Sequence, residues 1–255
     1  MTGQHAAARP HTDTSKAPAL PPALRRALTE DAVLGISIND NWANYATDVP
    51  WLVHHLHPLI MGVQEGYRRE YRHELGGRWG VKQRLGNKAE AGVAIIFDRH
   101  RLHQIGRHRP TDHQPHKIGH GWDELATASD TRARGVIWTD LEVDKPIPGI
   151  PDRFRLASWH RFPVRDKAEW GRFDRPAVHW LRESPLPVIV FQDSNEHGGP
   201  TGIAEKIAGK YGWHAAGQSI DGALVHEKFH AGPVFGLAPR TSDHGASVIM
   251  LGTAA

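Results

Sequence analysis

The chain has no cysteine among its 255 residues. A disulfide scaffold, zinc held by thiolates and a thiol nucleophile are therefore excluded, although this absence does not fix the compartment. Long apolar runs are missing too, and none approaches the roughly 20 residues that a membrane-spanning helix needs. The opening MTGQHAAARPHTDT lacks the apolar stretch of a secretory leader, so a cytoplasmic protein is expected. Neither sign of charge dominates: 31 Lys and Arg face 28 Asp and Glu, a formal net charge of +3 at pH 7. That excess is too small to establish a nucleic-acid partner. The 19 histidines weigh more, because a modest fall in pH adds positive charge through them. With 39% hydrophobic and 23% charged residues, the composition is that of a globular chain and not a disordered one.

What is present is a series of short β-type runs. Residues 1 to about 30 are rich in Ala, Pro, Thr and His without a sustained period, and read as a mobile, disordered N-terminal arm with at most a short helical turn at PPALRRALTED. The folded domain is expected over residues 31–255, as one unit without an internal repeat or central linker. Its β-type runs are AVLGISI, PLIMGV, GVAIIF, RGVIWTDLEV, RFRLASW, LPVIVF, DGALV and ASVIML. Trp42 to His57 and Lys167 to Arg182 have helical character, with Pro50 expected to kink or split the first. Runs that are almost wholly apolar suit strands covered on both faces. Many strands with few helices predict a layered α/β domain with two packed sheets.

Polar residues cluster where these runs end. GISINDN closes on Asn39, Asp40 and Asn41, PLIMGVQE on Gln64 and Glu65, and RLASWH on His160. LPVIVFQDSN closes on Asp193 and Asn195, while APRTSDH brings Asp243 and His244 just before the last run. Any one of these is ordinary turn chemistry or solvated surface. Five such ends in one chain are not, because rigid strands aim their terminal side chains into a shared crevice. The donors are oxygens and imidazoles without thiolate, a set that suits a hard divalent cation acting on phosphate.

In this order the motifs resemble those of the endonuclease/exonuclease/phosphatase superfamily, from residue 33 to 251. SIND resembles its first-strand Asn motif at Asn39, with Asn41 where many members carry a second polar residue. MGVQE resembles the LQE motif, SWH the strand that delivers a catalytic histidine, and VFQDSNE the GDFN motif. SIDGALV resembles IDYIFV at Asp221, and SDH is matched identically. QDSN departs from GDFN in losing Gly and Phe, and DG replaces the aromatic-bearing DY. The tyrosine of the abasic-site endonucleases is absent, with His160 in the corresponding segment, which moves the likeness towards the deoxyribonuclease and phosphatase branches. Glu90 lies near where deoxyribonuclease-like members orient their histidine.

The resemblance implies a four-layer α/β sandwich, two mostly antiparallel sheets flanked by helices, and Mg²⁺-dependent hydrolysis of a phosphodiester, with Mn²⁺ or Ca²⁺ as alternatives. It implies Asn39, Glu65 and Asp243 as metal ligands, and His244 as general base oriented by Asp221. Asp193 and Asn195 would position water or the scissile phosphate, and His160 would donate to a phosphoryl oxygen. Asn41 and Arg134 are candidates for substrate contact. DNA is the expected substrate, since Arg68, Arg69, Arg72, Arg78, Lys82 and Arg84 follow Glu65 closely. A solvated helix face explains that basic run equally well.

The histidines from His100 to His120, including HxxHxxxH at His113, His116 and His120, lack a clear fourth ligand and read as a surface loop. Trp159, Trp170 and Trp180 read mostly as core. Two other functions stay open: hydrolysis of a small phosphorylated molecule or lipid headgroup, and a non-catalytic nucleic-acid or partner-binding domain with a relict site. No obligate protein partner is evident.

Overall fold

A run that is apolar at every position must be covered on both faces, and the protein gives each such run an interior place in a sheet. The computed structural model describes residues 19–30, 32–40, 48–66, 70–84, 92–106, 117–127, 133–160, 178–193, 210–218, 221–238 and 245–252. The chain runs through α1 (Pro22–Thr29), β1 (Val33–Asn39), α2 (Asp48–Leu56), β2 (Ile60–Gln64), α3 (Tyr71–Leu75), β3 (Trp79–Arg84) and β4 (Val93–Asp98). It continues through β5 (Leu102–Gln104), β6 (His120–Thr127), β7 (Ala133–Val143), β8 (Arg153–His160) and β9 (Val188–Asp193). Last come β10 (Trp213–Gln218), β11 (Asp221–His226), β12 (Ala231–Leu237) and β13 (Ala246–Leu251).

Sheet A has the order β12-β13-β1-β2-β4-β3, and sheet B the order β10-β11-β9-β8-β7-β5, with β6 also paired to β7. Only β1–β2 and β8–β9 run parallel among the described pairs. Alternation along each strand builds three apolar layers. Leu34, Ile36 and Ile38 of β1, with Met61, Val63 and Ile96, face α1, α2 and α3. Ile60, Ile95, Phe97, Leu156, Ile189, Phe191 and Val225 fill the space between the sheets. Trp138, Trp159, Val190 and Leu224 pack outward from sheet B against Trp180 and Leu181 of a helical segment, residues 178–183. Helices, sheet, sheet and helix make the four layers expected.

Gly62 of sheet A makes room for Phe191 of sheet B. A Cβ built there would lie 2.2 Å from the Phe191 Cβ, so only glycine lets the ring cross β2 at that point. On the outer face of sheet B, Arg155 is fully buried and forks onto Asp140, with Nε to Oδ1 at 2.7 Å and Nη2 to Oδ2 at 3.0 Å. Its guanidinium carbon lies 3.9 Å from the centre of the Trp138 ring. Nearby, the indoles of Trp138 and Trp180 both donate to Asp123 Oδ2, at 2.9 and 2.6 Å. Trp180 therefore ties the helical segment to sheet B, while Trp159 donates to Gln192 Oε1 at 2.8 Å. Both are core residues, as expected; Trp170 lies outside the described residues.

One expectation is corrected. Residues up to about 30 were expected to form an arm outside the folded body, but α1 belongs to it. Pro22 opens the helix at a position where its missing N–H costs nothing, and Leu24 and Ala27 are buried against sheet A. Trp42 to Thr47 of the expected helical run lie outside the described residues; within α2, Asp48 to Leu56, Pro50 leaves the helix unbroken. It sits in the first turn, where an N–H has no intrahelical acceptor to lose. Among the described residues no helix is long and apolar enough to cross a membrane.

Candidate active site between the sheets

The faces that meet between the sheets change from apolar to polar at one end, strand by strand. Along β1 the inward positions are Val33, Gly35, Ser37 and Asn39; along β2 they are Ile60, Gly62 and Gln64. Across the gap, β8 presents Leu156, Ser158 and His160, β9 Ile189, Phe191 and Asp193, and β11 Val225, Ala223 and Asp221. Register lines these ends up: Asn39 pairs with Gln64, His160 with Asp193, and Asp193 with Asp221.

A polar floor joins the sheets beneath that end. Gln64 Nε2 donates to Ser158 Oγ at 2.9 Å, and Ser158 Oγ to the Val63 carbonyl at 3.2 Å. Ser37 reaches the Gln192 carbonyl at 3.4 Å, and Ser247 the Asp221 carbonyl at 2.6 Å. Above the floor, Asn39 Nδ2 donates to Asp193 Oδ2 at 2.8 Å. His160 Nε2 stands 3.3 Å from that same Asp193 oxygen and 3.5 Å from Glu65 Oε1. Glu65, His160 and Asp193 each offer a ligand atom within 4.8 Å of the others.

Glu65 takes up this position in a backbone conformation that side chains disfavour, with φ at +54°. The strand ends at Gln64, and the Glu65 carboxylate stands 3.5 Å from His160 of the facing sheet. Asp40 continues β1 by one hydrogen bond, its N–H donating to the Gln64 carbonyl at 2.8 Å. Tyr71 of α3 donates its hydroxyl to the Asp40 carboxylate, so the helix layer braces the same strand end.

Two buried carboxylates, Asp193 and Asp221, are direct cross-strand neighbours, a placement that is unfavourable for like charges. Glu65 adds a third carboxylate beside His160. Gln64 Oε1 is buried on the floor with no hydrogen-bond partner among the described residues. Convergent oxygens with one imidazole fit a hard divalent cation, which would be held by Glu65 and Asp193 with Asn39 and His160 alongside.

Of the residues expected at a site, the structure brings together Asn39, Glu65, His160, Asp193 and Asp221. Glu65 was expected among ligands, and Asp193 and His160 among the groups handling water and phosphate; here all three share one cluster. The backbone of Arg134 lies two residues before Val136, whose partner is Trp159, and so at the His160 end of β7. Asn41, Glu90, Asn195, Asp243 and His244 lie outside the described residues, as do Arg68, Arg69, His113 and His116. Arg78 of the basic run lies away from the cluster. It pairs with Asp98 at 2.7 Å, at the end of β3 remote from the site. His120 Nδ1 lies 2.6 Å from Gln104 Nε2, and His103 lies between Asp144 and Glu142 on the surface. Asp144 and Glu142 hold the His103 ring above the usual histidine range. Sequence reasoning missed Ser37, Ser158, Ser247 and Tyr71, although a polar residue two places before a strand-end ligand was a signal for the first two.

No protein-family model and no curated protein matches the chain. Solved structures do resemble it. The chain is similar to the human Nocturnin catalytic domain with bound sulfate, at 14% identity and TM-score 0.57, over 86% of this chain and 94% of that one. It is similar to an endonuclease/exonuclease/phosphatase family protein from Bacteroides thetaiotaomicron, at 15% identity and TM-score 0.61, over 86% and 97%. It is also similar to D. rerio TDP2 complexed with single-strand DNA product, at 13% identity and TM-score 0.62, over 87% and 99%.

Proposed function

From the fold it shares with the endonuclease/exonuclease/phosphatase superfamily, we propose that this protein is a divalent-metal-dependent phosphodiester hydrolase that acts as a nuclease on DNA. The observation that carries the reading is the convergence of Glu65, His160 and Asp193, with Asn39 bonded to Asp193, at the mouth between the sheets. Mg²⁺ suits the oxygen donors best. When bound it would neutralise charge on the phosphoryl oxygens.

The chain's own residues then supply the rest. Water attacks phosphorus in line, one P–O ester bond breaks, and the departing alkoxide takes a proton from solvent, leaving a phosphomonoester and an alcohol. His244 takes the proton from water and Asp221 holds its ring through the other nitrogen. Support comes from Ser247, bonded to the Asp221 carbonyl only three residues after His244, a span of at most about 10 Å of extended chain. His160, its Nε2 facing two carboxylates, donates to a phosphoryl oxygen. Asp193 fixes Asn39, and Asn195 follows it to orient water or phosphate. Asp243 is a further ligand, and Asn41 and Arg134 touch substrate.

Purified protein with supercoiled plasmid tests the reading. Nicking in Mg²⁺ that EDTA abolishes is expected. Glu65→Gln should weaken calorimetric Mg²⁺ binding by more than the about 10–100-fold that loss of an outer partner costs. His244→Ala should lose about 10²–10⁴-fold in turnover. The Asp221→Asn, His244→Ala double variant should be little worse than His244→Ala alone. Losses that multiply would place Asp221 outside the base. An uncut plasmid beside hydrolysis of bis(p-nitrophenyl) phosphate would move the substrate to a small phosphodiester.

A further inference from the structure

Arg84 and Trp122, distant in sequence, meet where the two sheets open: the guanidinium carbon lies 4.2 Å from the centre of the indole. Strand register fixes their place. Arg84 pairs with Val93, Val93 with Gln64 and Gln64 with Asn39, so one row crosses sheet A at the level of the site. Trp122 pairs with Ile137 and Ile137 with Ser158, the residue that bonds Gln64 across the gap. The Arg84–Trp122 stack therefore continues the polar floor sideways, two strand spacings or about 10 Å from the Gln64–Ser158 contact. Trp79 and Val81 turn to the helix layer, so Lys82 and Arg84 alternate onto the face that looks at sheet B.

Arg84 is exposed and Trp122 half-buried. A guanidinium laid on an indole is already ordered, and its planar fork of N–H groups matches the geometry of a phosphate. At this distance it reaches not the scissile group but a neighbouring phosphate on the same strand.

We propose that Arg84, seated on Trp122, is a second phosphate-binding position, occupied by a phosphate that flanks the scissile one in a polynucleotide. This rests on the nuclease reading above and adds the place where a flanking phosphate of the strand is held. A purely structural latch between sheet edges is the competing explanation.

Titration of a short fluorescein-labelled phosphorothioate oligothymidylate, by anisotropy over a range of salt in Mg²⁺, separates them. Arg84→Gln keeps a planar group over the indole and removes the charge; Arg84→Met serves if the Gln variant fails to melt cooperatively. Affinity should fall, and the slope of log K against log salt should become shallower by about 0.7, the share of one phosphate contact on a single strand. Arg84→Lys should restore the slope. Wild-type protein that does not bind the oligonucleotide, or charge-removed variants with unchanged affinity and slope, would overturn the proposal. So would a Lys variant that fails to restore the slope. Wild-type hydrolysis of bis(p-nitrophenyl) phosphate, which has a single phosphate, reports separately on the underlying reading.

Discussion

Glu65 joins the candidate cluster at a backbone cost. A non-glycine residue in the left-handed region is less stable by roughly 1–2 kcal/mol, and this one also sets its carboxylate close to that of Asp193. Asparagine tolerates that conformation better and is uncharged. Glu65→Asn should therefore be more stable than the wild type in EDTA while losing metal binding and turnover. A gain near 1 kcal/mol corresponds to about 2–4 °C for a chain of this size. Scanning calorimetry that finds the variant unchanged or less stable would show that the strain is not stored at Glu65. Asn39, Glu65, His160, Asp193 and Asp221 were legible in the sequence because each ends or begins a run of β character. Arg84 with Trp122, and Asp123 with Trp138 and Trp180, were not. Those contacts join strands that no local pattern brings together, and an isolated Arg or Trp reads as surface or core.

At the scale of elements, all eight β-type runs became strands, and every one lies inside a sheet. The five strands that were not anticipated, β3, β5, β6, β10 and β12, all lie at sheet margins. Margin strands are half solvated, so sequences such as WGVKQR and AGPVFGL lack the continuous apolar run that marks an interior strand. Helix α1 was legible as a turn but not as part of the core, since two inward residues in eight are a weak signal. The β3–β4 margin also contains a pH-dependent tie. Burial works against charge on Asp98, but the Arg78 guanidinium at 2.7 Å and the His100 N–H at 3.0 Å outweigh it and hold the carboxyl below the usual aspartate range. A depressed folded-state pKa stabilises fully above the usual range, and that contribution is lost as pH falls through the folded value. Asp98→Asn should therefore be less stable than wild type at pH 7, with the difference closing as the solution is acidified. Urea midpoints that stay equally far apart across the acid range would sink this account.

For the whole molecule, the decisive feature is that the site belongs to neither sheet alone. Sheet A supplies Asn39 and Glu65, sheet B supplies His160, Asp193 and Asp221, and the Gln64–Ser158 and Ser247–Asp221 bonds fasten one to the other. Phe191 seated over Gly62 sets how far apart these halves stand. The antiparallel pairing of β1 with β13 has a different consequence. Val33 lies beside Leu251 at the pole away from the site, so the first and the last strand of the fold lie side by side there. The α3–β3 turn at Gly76 and Gly77 lies near that pole, where an added Cβ meets nothing within 4 Å. A circular permutant opened between these glycines needs a flexible linker from residue 252 that clears α1, whose eight residues span about 12 Å. All strand pairings survive that cut. The rearranged chain should melt cooperatively and bind Mg²⁺ with the parent's affinity, and loss of cooperative melting would mean that chain order, not only strand pairing, holds the two halves of the site together.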